Sequence, residues 1–528
     1  MSNSQDVSVG LSHRAILTVL FGLIAGMFLG VLDQTVAGAA LPTIVGDLNG
    51  VESMSLVITA YMLASAVVLP ICGKLGDLFG HKRMFITAVL VFLVGSTMSA
   101  LATNMTLLII GRFVQGLGGG SLMVLAMAVM SHIAPPDKMR KYTPLFGLTF
   151  GVSFVVGPLI GGFLSTVHDT HIFGVMTNWR WVFWLNLPVG ALALAAIVAF
   201  VPKLPVPKVR PKFDTYGIIL LSLASTSIVL ATTWGGSKYA WGSPAIIWLI
   251  VSAVVSAILF VIVERRLVED PVMPLFLFKN RNFSLVTVAG LVLGVVMMGT
   301  LAYLPTYLQM ATGTSATMSG VYMLPLVGGM LVVSNTVNII ITRTKRYKWA
   351  PLSGMAVMGV GLVLLSTLTA TTAIWHICVY LGVMGAGMGM TMQTLMAIVR
   401  NEVPLMMSGT GNSTNIYFRT IGSALGASFI GSLFVTNLKD QIAERLPGAS
   451  IGSGGQGSLT PAVVKMLPST VRSAILESYS DALTPIFLWI TPLVVVAFIV
   501  LLFLRETPFK TTLDYGKTGE MAKVEAMV

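Results

Sequence analysis

The chain has 528 residues, of which 55% are hydrophobic and only 10% charged, with a formal net charge of +12. A water-facing surface needs far more charge, so this composition excludes a soluble multidomain protein and points to a polytopic membrane protein. The positive balance does not signal nucleic acid, because the cations sit in short loops, where they orient helices and meet anionic lipid.

A spanning helix needs about 20 mostly apolar residues. Fourteen runs qualify. In chain order they are Ile16–Leu41, Ser53–Cys72, Met84–Ala102, Thr106–Ile133, Tyr142–Val167, Trp181–Val201, Thr215–Trp234, Pro244–Val263, Phe283–Met310, Thr317–Thr342, Ala350–Thr371, Trp375–Val399, Gly411–Thr436 and Ala482–Leu504. None alternates as a strand does, which argues against a barrel. Arg14, the first run and Ala37-Gly38-Ala39-Ala40 mimic a cleaved signal. The run is longer than a signal core and contains Asp33, so it reads as a retained first span.

With both termini inside, 24 of the 32 Lys and Arg residues fall in inner segments and six in outer ones. That bias places the termini in the cytoplasm and favours an even span count. The remaining two, Arg112 and Arg419, lie inside spans.

Three connectors stand out. Gly73–Arg83 joins two spans within eleven residues, and its glycines permit close backbone approach. Asp77 there can face a helix start. Val201–Asp214 is rich in Pro and Lys and reads as an extended cytoplasmic link. Asn437–Asp481 is the longest outer segment. Its Gly448–Gly457 portion is Gly/Ser-rich, and Pro461–Tyr479 has the apolar spacing of a short amphipathic helix lying on the outer face. The tail after Leu504 is polar and reads as disordered.

Asp33 is the one acid clearly deep in a span. An ionised acid there costs roughly 2.5–3.5 kcal/mol. Withdrawal from water disfavours a carboxylate's charged form. Such a group is suited to taking a proton from one side and releasing it when its surroundings change; the alternative is a static ion pair. Depth supports a partner. Asp33 lies roughly 12 Å below the outer end of the first span, and Arg112 roughly 9 Å below the same surface on the antiparallel fourth. Arg112 either tunes Asp33 or serves as a structural cation bonded to carbonyls, and the two roles are compatible.

Gly116, Gly118, Gly119 and Gly120 follow Arg112. No strand precedes them and no Lys-Ser/Thr follows, so they are not a phosphate loop but small residues for tight helix contact. Gly151, Ser153, Gly157, Pro158, Gly161 and Gly162 form a second small face, with Pro158 bending the fifth span. That suits a rocking interface, or static packing alone. Arg419 either snorkels to the inner interface, pairs with Glu402 or meets substrate. Tyr303, Tyr307 and Gln309 either line a cavity for flat amphipathic molecules or form an aromatic belt. Cys72 and Cys378 read as packed thiols and His376 as interfacial, with no disulfide or metal set. The 31 methionines suit helices that slide and repack, or simply face lipid. No Gly-x-Ser-x-Gly, His-Glu-x-x-His or Walker pattern occurs, so the chain reads as no enzyme, with no cofactor, driven by an ion gradient.

Four stretches in order resemble the major facilitator superfamily, and specifically its fourteen-helix drug:proton antiporter branch, the QacA/EmrB type. They are Leu32-Asp33-Gln34-Thr35-Val36 through Leu41-Pro42, Gly73–Arg83, Arg112-Phe113-Val114-Gln115-Gly116, and Gly157-Pro158-Leu159-Ile160-Gly161-Gly162. The resemblance implies an all-α fold of two six-helix bundles with two inserted helices. The divisions are residues 1–202, 203–282 with the linker and inserted pair, 283–504 carrying outer loop 437–481, and tail 505–528. It assigns proton coupling to Asp33 and Arg112, and a cytoplasmic gate latch to Gly73, Gly76, Asp77, Gly80 and Arg83. The antiporter motif falls on Gly157, Pro158, Gly161 and Gly162. Gln34, Gln115, Tyr303, Tyr307, Gln309 and Arg419 are cavity candidates. Two departures are Ser153, where a Gly is usual, and Arg343–Lys348, which lacks the Asp of a matching second latch.

The expected function is proton-coupled export of amphipathic compounds by a monomer in the cell membrane, with small-molecule substrate, protons and lipid as its partners. The apolar, Met-rich spans argue against an importer of a polar nutrient. The long outer loop keeps a lipid or envelope-precursor exporter in play.

Overall fold

The structure, a computed structural model, describes residues 13–48, 54–133, 145, 149, 151–153, 156, 157, 159–164, 170–172, 175–177, 179–201, 214–236, 238–266, 271–314, 316–403, 408–446 and 467–508. Thirteen helices among these are long and apolar enough to cross a membrane. The fifth expected span is helical wherever it is described between Leu145 and Leu164, which is compatible with fourteen. Large apolar side chains such as Phe21, Val94, Trp248, Val332 and Val496 are exposed around the outside, where hydrocarbon replaces water as their solvent.

Several boundaries differ from expectation. The connector at Gly73–Arg83 is not a loop. The second helix runs Met54–Phe79 and the third begins at His81, so the turn is Gly80 alone. Its φ of 90° is a backbone state that only glycine adopts without strain. The tenth span is broken into Ala316–Tyr322 and Leu324–Thr344 at Met323, with Pro325 in the first turn of the second piece. The outer segment 469–479 is not a separate helix lying flat; it is the start of one helix, Ser469–Leu502, that continues as the last span. The thirteenth helix likewise runs Ser408–Arg445. Ser469–Leu502 is about 51 Å long and Ser408–Arg445 about 57 Å, against a hydrocarbon core of about 30 Å. Their outer ends are joined by the Arg445–Asp481 ion pair and by Asn437 Nδ2 donating to Ala482 O at 3.3 Å. A short hairpin, Thr170–Ile172 with Val175–Thr177, occurs in an outer loop where no strand was expected.

One packing pattern appears twice. Met105–Ile133 packs against both Met54–Phe79 and His81–Ala100, and Ile374–Glu402 packs in the same way against Leu324–Thr344 and Trp349–Ser366. The inner turns match too. Lys82 Nζ donates to Val198 O and Val201 O at the end of the sixth span, and Lys348 Nζ donates to Leu502 O at the end of the fourteenth. In both cases a cation meets the exposed carbonyls of a helix C-terminus.

The inserted pair, Thr215–Trp234 and Pro244–Arg266, packs as a hairpin. Asp214 caps its first helix by accepting from Gly217 N at 2.8 Å. That helix is pinned to the thirteenth by Ser225 with Tyr417 (2.7 Å) and Thr233 with Ser428 (3.3 Å).

Buried side chains form two large cores. One lies wholly within residues 277–504. The other joins the inner halves of the first four spans to Met396, Ile416, Tyr417, Ile421 and Ala424 of the twelfth and thirteenth. A smaller outer cluster of Leu32, Val36, Ala40, Leu41, Trp179, Phe183 and neighbours belongs to the N-terminal part alone. The halves therefore share an apolar core at the inner end, while their outer cores stay separate.

Candidate functional site

Asp33 sits on His13–Asp47 with its side chain fully removed from solvent. Two other spans converge on it. Arg112 Nη1 donates to Asp33 Oδ2, forming a buried ion pair. Gln115 Nε2 and Asn186 Nδ2 both donate to Asp33 Oδ1, at 2.8 and 2.9 Å. Arg112 Nη1 also donates to Gln115 Oε1 at 2.8 Å. Asn186 reaches on to Ser96 Oγ at 3.0 Å, and Ser96 donates to Phe183 O at 2.8 Å. The Arg112 guanidinium lies over the Tyr61 ring, 4.5 Å from its centroid, and 5.9 Å from that of Phe183. Tyr61 Oη donates to Gly30 O at 3.0 Å.

Both carboxylate oxygens are thus occupied by donors from the fourth and sixth spans. Arg112 Nε is buried with no hydrogen-bond partner among the described residues. The pair is closed by further hydrogen bonds, which is what a buried ion pair needs to offset its loss of water. It also leaves one cation proton free to seek an alternative.

The residues came together because helix contacts here are backbone-close. A Cβ at Gly118 would lie 2.5 Å from Phe92 N, and one at Gly120 2.5 Å from Ser65 Cα. The fourth helix can therefore lie against the second and third without intervening side chains, which brings Arg112 within reach of Asp33. Above the site, toward the outer end, Trp179 Nε1 donates to Asp47 Oδ2 (2.8 Å), and Arg180 pairs with the same carboxylate at 3.6 Å.

Two residues beyond Asp33 on the first helix, Thr35 Oγ1 donates to Ser153 O at 3.0 Å. A side chain at Gly157 would collide with Thr35, and one at Gly161 with Val36 O at 2.5 Å. The fifth span's small face is therefore packed against the helix that carries Asp33. Pro158 lies outside the described residues. Farther along the fifth span, Gly151 meets Val327 of the C-terminal part. There an apolar cavity of about 10 Å³ is lined by Gly151, Met297, Leu326, Val327, Met330 and Met392, among others.

The structure redistributes the other expected site residues. Gln115 belongs to the Asp33 network rather than to a substrate cavity. Gln34, its neighbour in sequence, is half-buried. Tyr303 is bonded to Ala427 O at 2.8 Å. Tyr307 is 1% exposed and donates to Thr369 O at 3.0 Å, so it is core and not a belt residue. Gln309 donates to Ser319 at 3.3 Å. Arg419 does not snorkel: it is 6% exposed and approaches Met123. Nor does it pair with Glu402, whose carboxylate accepts from Asn280, Asn282 and Thr507.

In the gate motif, a side chain at Gly76 would crowd the buried His81, with 3.0 Å to its Cε1. Arg83 is exposed, and the side chain of Asp77 is outside the described set. On the C-terminal side, the Arg343–Lys348 turn meets an acid from the start of the tail. Glu506 accepts from Tyr347 N at 2.6 Å, and Thr507 N donates to Tyr347 Oη at 2.9 Å. The start of the tail is therefore docked rather than loose.

Sequence reasoning missed Tyr61, Ser96 and Asn186. A signal existed for two of them. Asn186 lies about 8 Å into the sixth span from its outer end, and Ser96 about 9 Å below the outer end of the third. Both depths match those of Asp33 and Arg112.

A model of the Major Facilitator Superfamily matches residues 23–427. The chain is 36% identical over 490 residues to an uncharacterized MFS-type transporter of Mycobacterium tuberculosis (strain H37Rv), covering 93% of this chain and 69% of that one. It is 30% identical over 509 residues to multidrug resistance protein 3 of Bacillus subtilis (strain 168), covering 94% and 97%. Identity to the multidrug transporter protein MdtP of the same organism is 32% over 468 residues, covering 88% and 84%. Among solved structures, a bacterial homolog of the human lysosomal transporter Spinster, inward-facing and unoccupied, superposes with a TM-score of 0.61. It shares 15% identity and covers 94% of this chain and all of that one. The human organic anion transporter MFSD10 gives 0.61 at 12% identity, covering 92% and 99%.

Proposed function

This chain belongs to the Major Facilitator Superfamily of multi-pass membrane transporters, and we propose that it is a proton-coupled antiporter exporting amphipathic compounds across the cell membrane. Proton transfer at Asp33 drives the exchange. The observation that carries this reading is the convergence of Arg112, Gln115 and Asn186 on one fully buried carboxylate. Its relatives named for multidrug resistance and transport support the substrate class.

When Asp33 takes up a proton, its charge vanishes and Arg112 loses its counter-ion. The donors of Gln115 and Asn186 then face a neutral acid, and the first helix is held less firmly to the fourth and sixth. That helix is packed through Thr35 and Val36 onto the fifth span, which itself meets the C-terminal part at Gly151 and Val327. Protonation therefore biases how the two halves lean on each other. The division follows residues 1–202 and 283–504, with 203–282 inserted between them. Both termini are cytoplasmic, in keeping with the inner excess of Lys and Arg. The shared inner core then closes the cytoplasmic side, and the methionine-lined seam above it is an apolar, deformable path for varied lipophiles. A single chain contains every part of this cycle.

The test uses inverted vesicles loaded by an inside-acid gradient with a lipophilic fluorescent dye. Wild type accumulates dye; Asp33→Asn does not. Full gradient-driven uptake by the variant removes Asp33 from the mechanism, and uptake indifferent to the gradient rejects proton coupling. A second reading, export of a lipid-like envelope precursor, is favoured by the outer extension of Ser408–Arg445 and Ser469–Leu502 beyond bilayer thickness. Removing that extension would abolish movement of a fluorescent lipid and spare the dye.

A further inference from the structure

Arg419 carries a charge that no described residue neutralises. It is 6% exposed, and its only hydrogen bond among the described residues runs from Nη2 to Met123 Sδ at 3.6 Å. A thioether is a weak acceptor and brings no charge. The buried acids among the described residues are committed elsewhere, Asp33 to Arg112, Asp214 to Gly217 N and Glu264 to Met273 N, and the half-buried Glu402 is held by Asn280, Asn282 and Thr507. An isolated cation withdrawn from water is costly and, inside a membrane protein, marks a route for something charged.

Its position says what that something meets. Arg419 lies about 16 Å along its helix from Ser408, and Met123 about 15 Å from the inner end of the fourth span at Ile133. Their contact bridges the two halves at one depth, beside the apolar inner core that includes Ile416, Tyr417 and Ile421. Parting of the halves at the inner end, which the export reading requires, would free Arg419 from Met123 beside an apolar wall. A guanidinium so placed takes a carboxylate, sulfonate or phosphate in bidentate fashion, and the wall takes the lipophilic body attached to it.

We propose that Arg419 is the recognition point for an anionic group on a lipophilic substrate, so that this exporter favours anionic over cationic amphiphiles. The proposal deepens the export reading and rests on it for the direction of transport. The recognition itself does not depend on a gradient.

Equilibrium binding tests it. Purified full-length protein in phosphatidylcholine nanodiscs is titrated with a dansyl-labelled undecanoic acid and with its methyl ester, following energy transfer from tryptophan. The two probes share one hydrophobe and differ only in charge. Wild type binds the acid about tenfold more tightly than the ester, one charge-assisted contact's worth. Arg419→Gln erases the difference and leaves ester affinity unchanged, which also shows that the variant is folded. Arg419→Lys keeps part of the preference. Equal binding of acid and ester by wild type overturns the proposal, as does a preference that survives in Arg419→Gln. If Arg419→Gln binds neither probe, Arg419→Lys decides: an acid preference there supports the site, and ester binding without it rejects the site. In discs containing phosphatidylglycerol, loss of the acid's advantage identifies a lipid headgroup as the anion, and its persistence identifies a free amphiphile; both keep the anion site. An intact acid preference in a protein with no gradient-driven uptake defeats the export reading alone.

Discussion

Asp33→Asn and Arg112→Gln, made singly and together, measure how far the buried pair acts as one unit. Asp33→Asn strands the guanidinium: among the described residues Arg112 Nε already lacks a partner, and Nη1 keeps only Gln115 at 2.8 Å. Leaving one charge of a buried pair uncompensated costs about 3–5 kcal/mol. Arg112→Gln is milder, about 2–4 kcal/mol, because Gln115 and Asn186 still donate to the carboxylate at 2.8 and 2.9 Å. The double variant carries no charge in the site, and its two amides can bond each other. Its loss is therefore smaller than the sum of the singles by about 2–4 kcal/mol. Reversible unfolding in maltoside micelles with increasing dodecyl sulfate reads these values. The double variant is then about as stable as Asp33→Asn alone, while gradient-driven uptake stays absent in all three. Additivity within about 0.5 kcal/mol would show that the two charges are not energetically coupled and would refute the account of the site.

Three further outcomes follow from the geometry. Asn186→Leu removes the donor shared by Asp33 and Ser96, so gradient-driven uptake falls at least about tenfold with the protein still folded; uptake within twofold of wild type would remove Asn186 from the site. Gly80→Ala forces a side chain into φ of 90° and costs about 1–2 kcal/mol, read as a lowered unfolding midpoint; no change would mean that the turn relaxes. Burial holds the Tyr347 phenol above its ordinary range, offset in part by its hydrogen bonds with Thr507. Because the folded value is raised, Tyr347's stabilisation is complete below about pH 10, the unfolded value, and is lost as pH climbs through the folded one. Thermal unfolding across that range should steepen in wild type and not in Tyr347→Phe.

The spans were legible because hydrocarbon demands about 20 apolar residues with internally satisfied backbones, and that demand is written locally. Asp33 was legible for the converse reason: a charge in such a run is costly enough to need an explanation. Depth along antiparallel helices matched Asp33 to Arg112, and the same ruler applied to Asn186 and Ser96 points to them. Tyr61 could not be found this way, because its role comes from its ring facing Arg112. Gly80 shows the limit at boundaries: eleven residues of mixed polarity read as a loop, yet the helices continue through ten of them, because a helix leaving the bilayer keeps its own hydrogen bonds. Segment 469–479 misled for the same reason, its amphipathic spacing serving a projecting helix and not a flat one.

From its residues alone, this chain determined that it crosses a membrane many times, which loops carry its cations, and which acid stands out in an apolar run. Those properties depend on the solvent each segment meets, and every segment reports its solvent by itself. Only the tertiary structure decided that Gln115 bonds Asp33, that Tyr307 is core, that Glu506 meets the second inner turn, and that Arg419 faces Met123 with no acid of the described residues beside it. Each of these depends on a side chain from a distant helix, and the approach of two helices is set by the small residues and shapes of both.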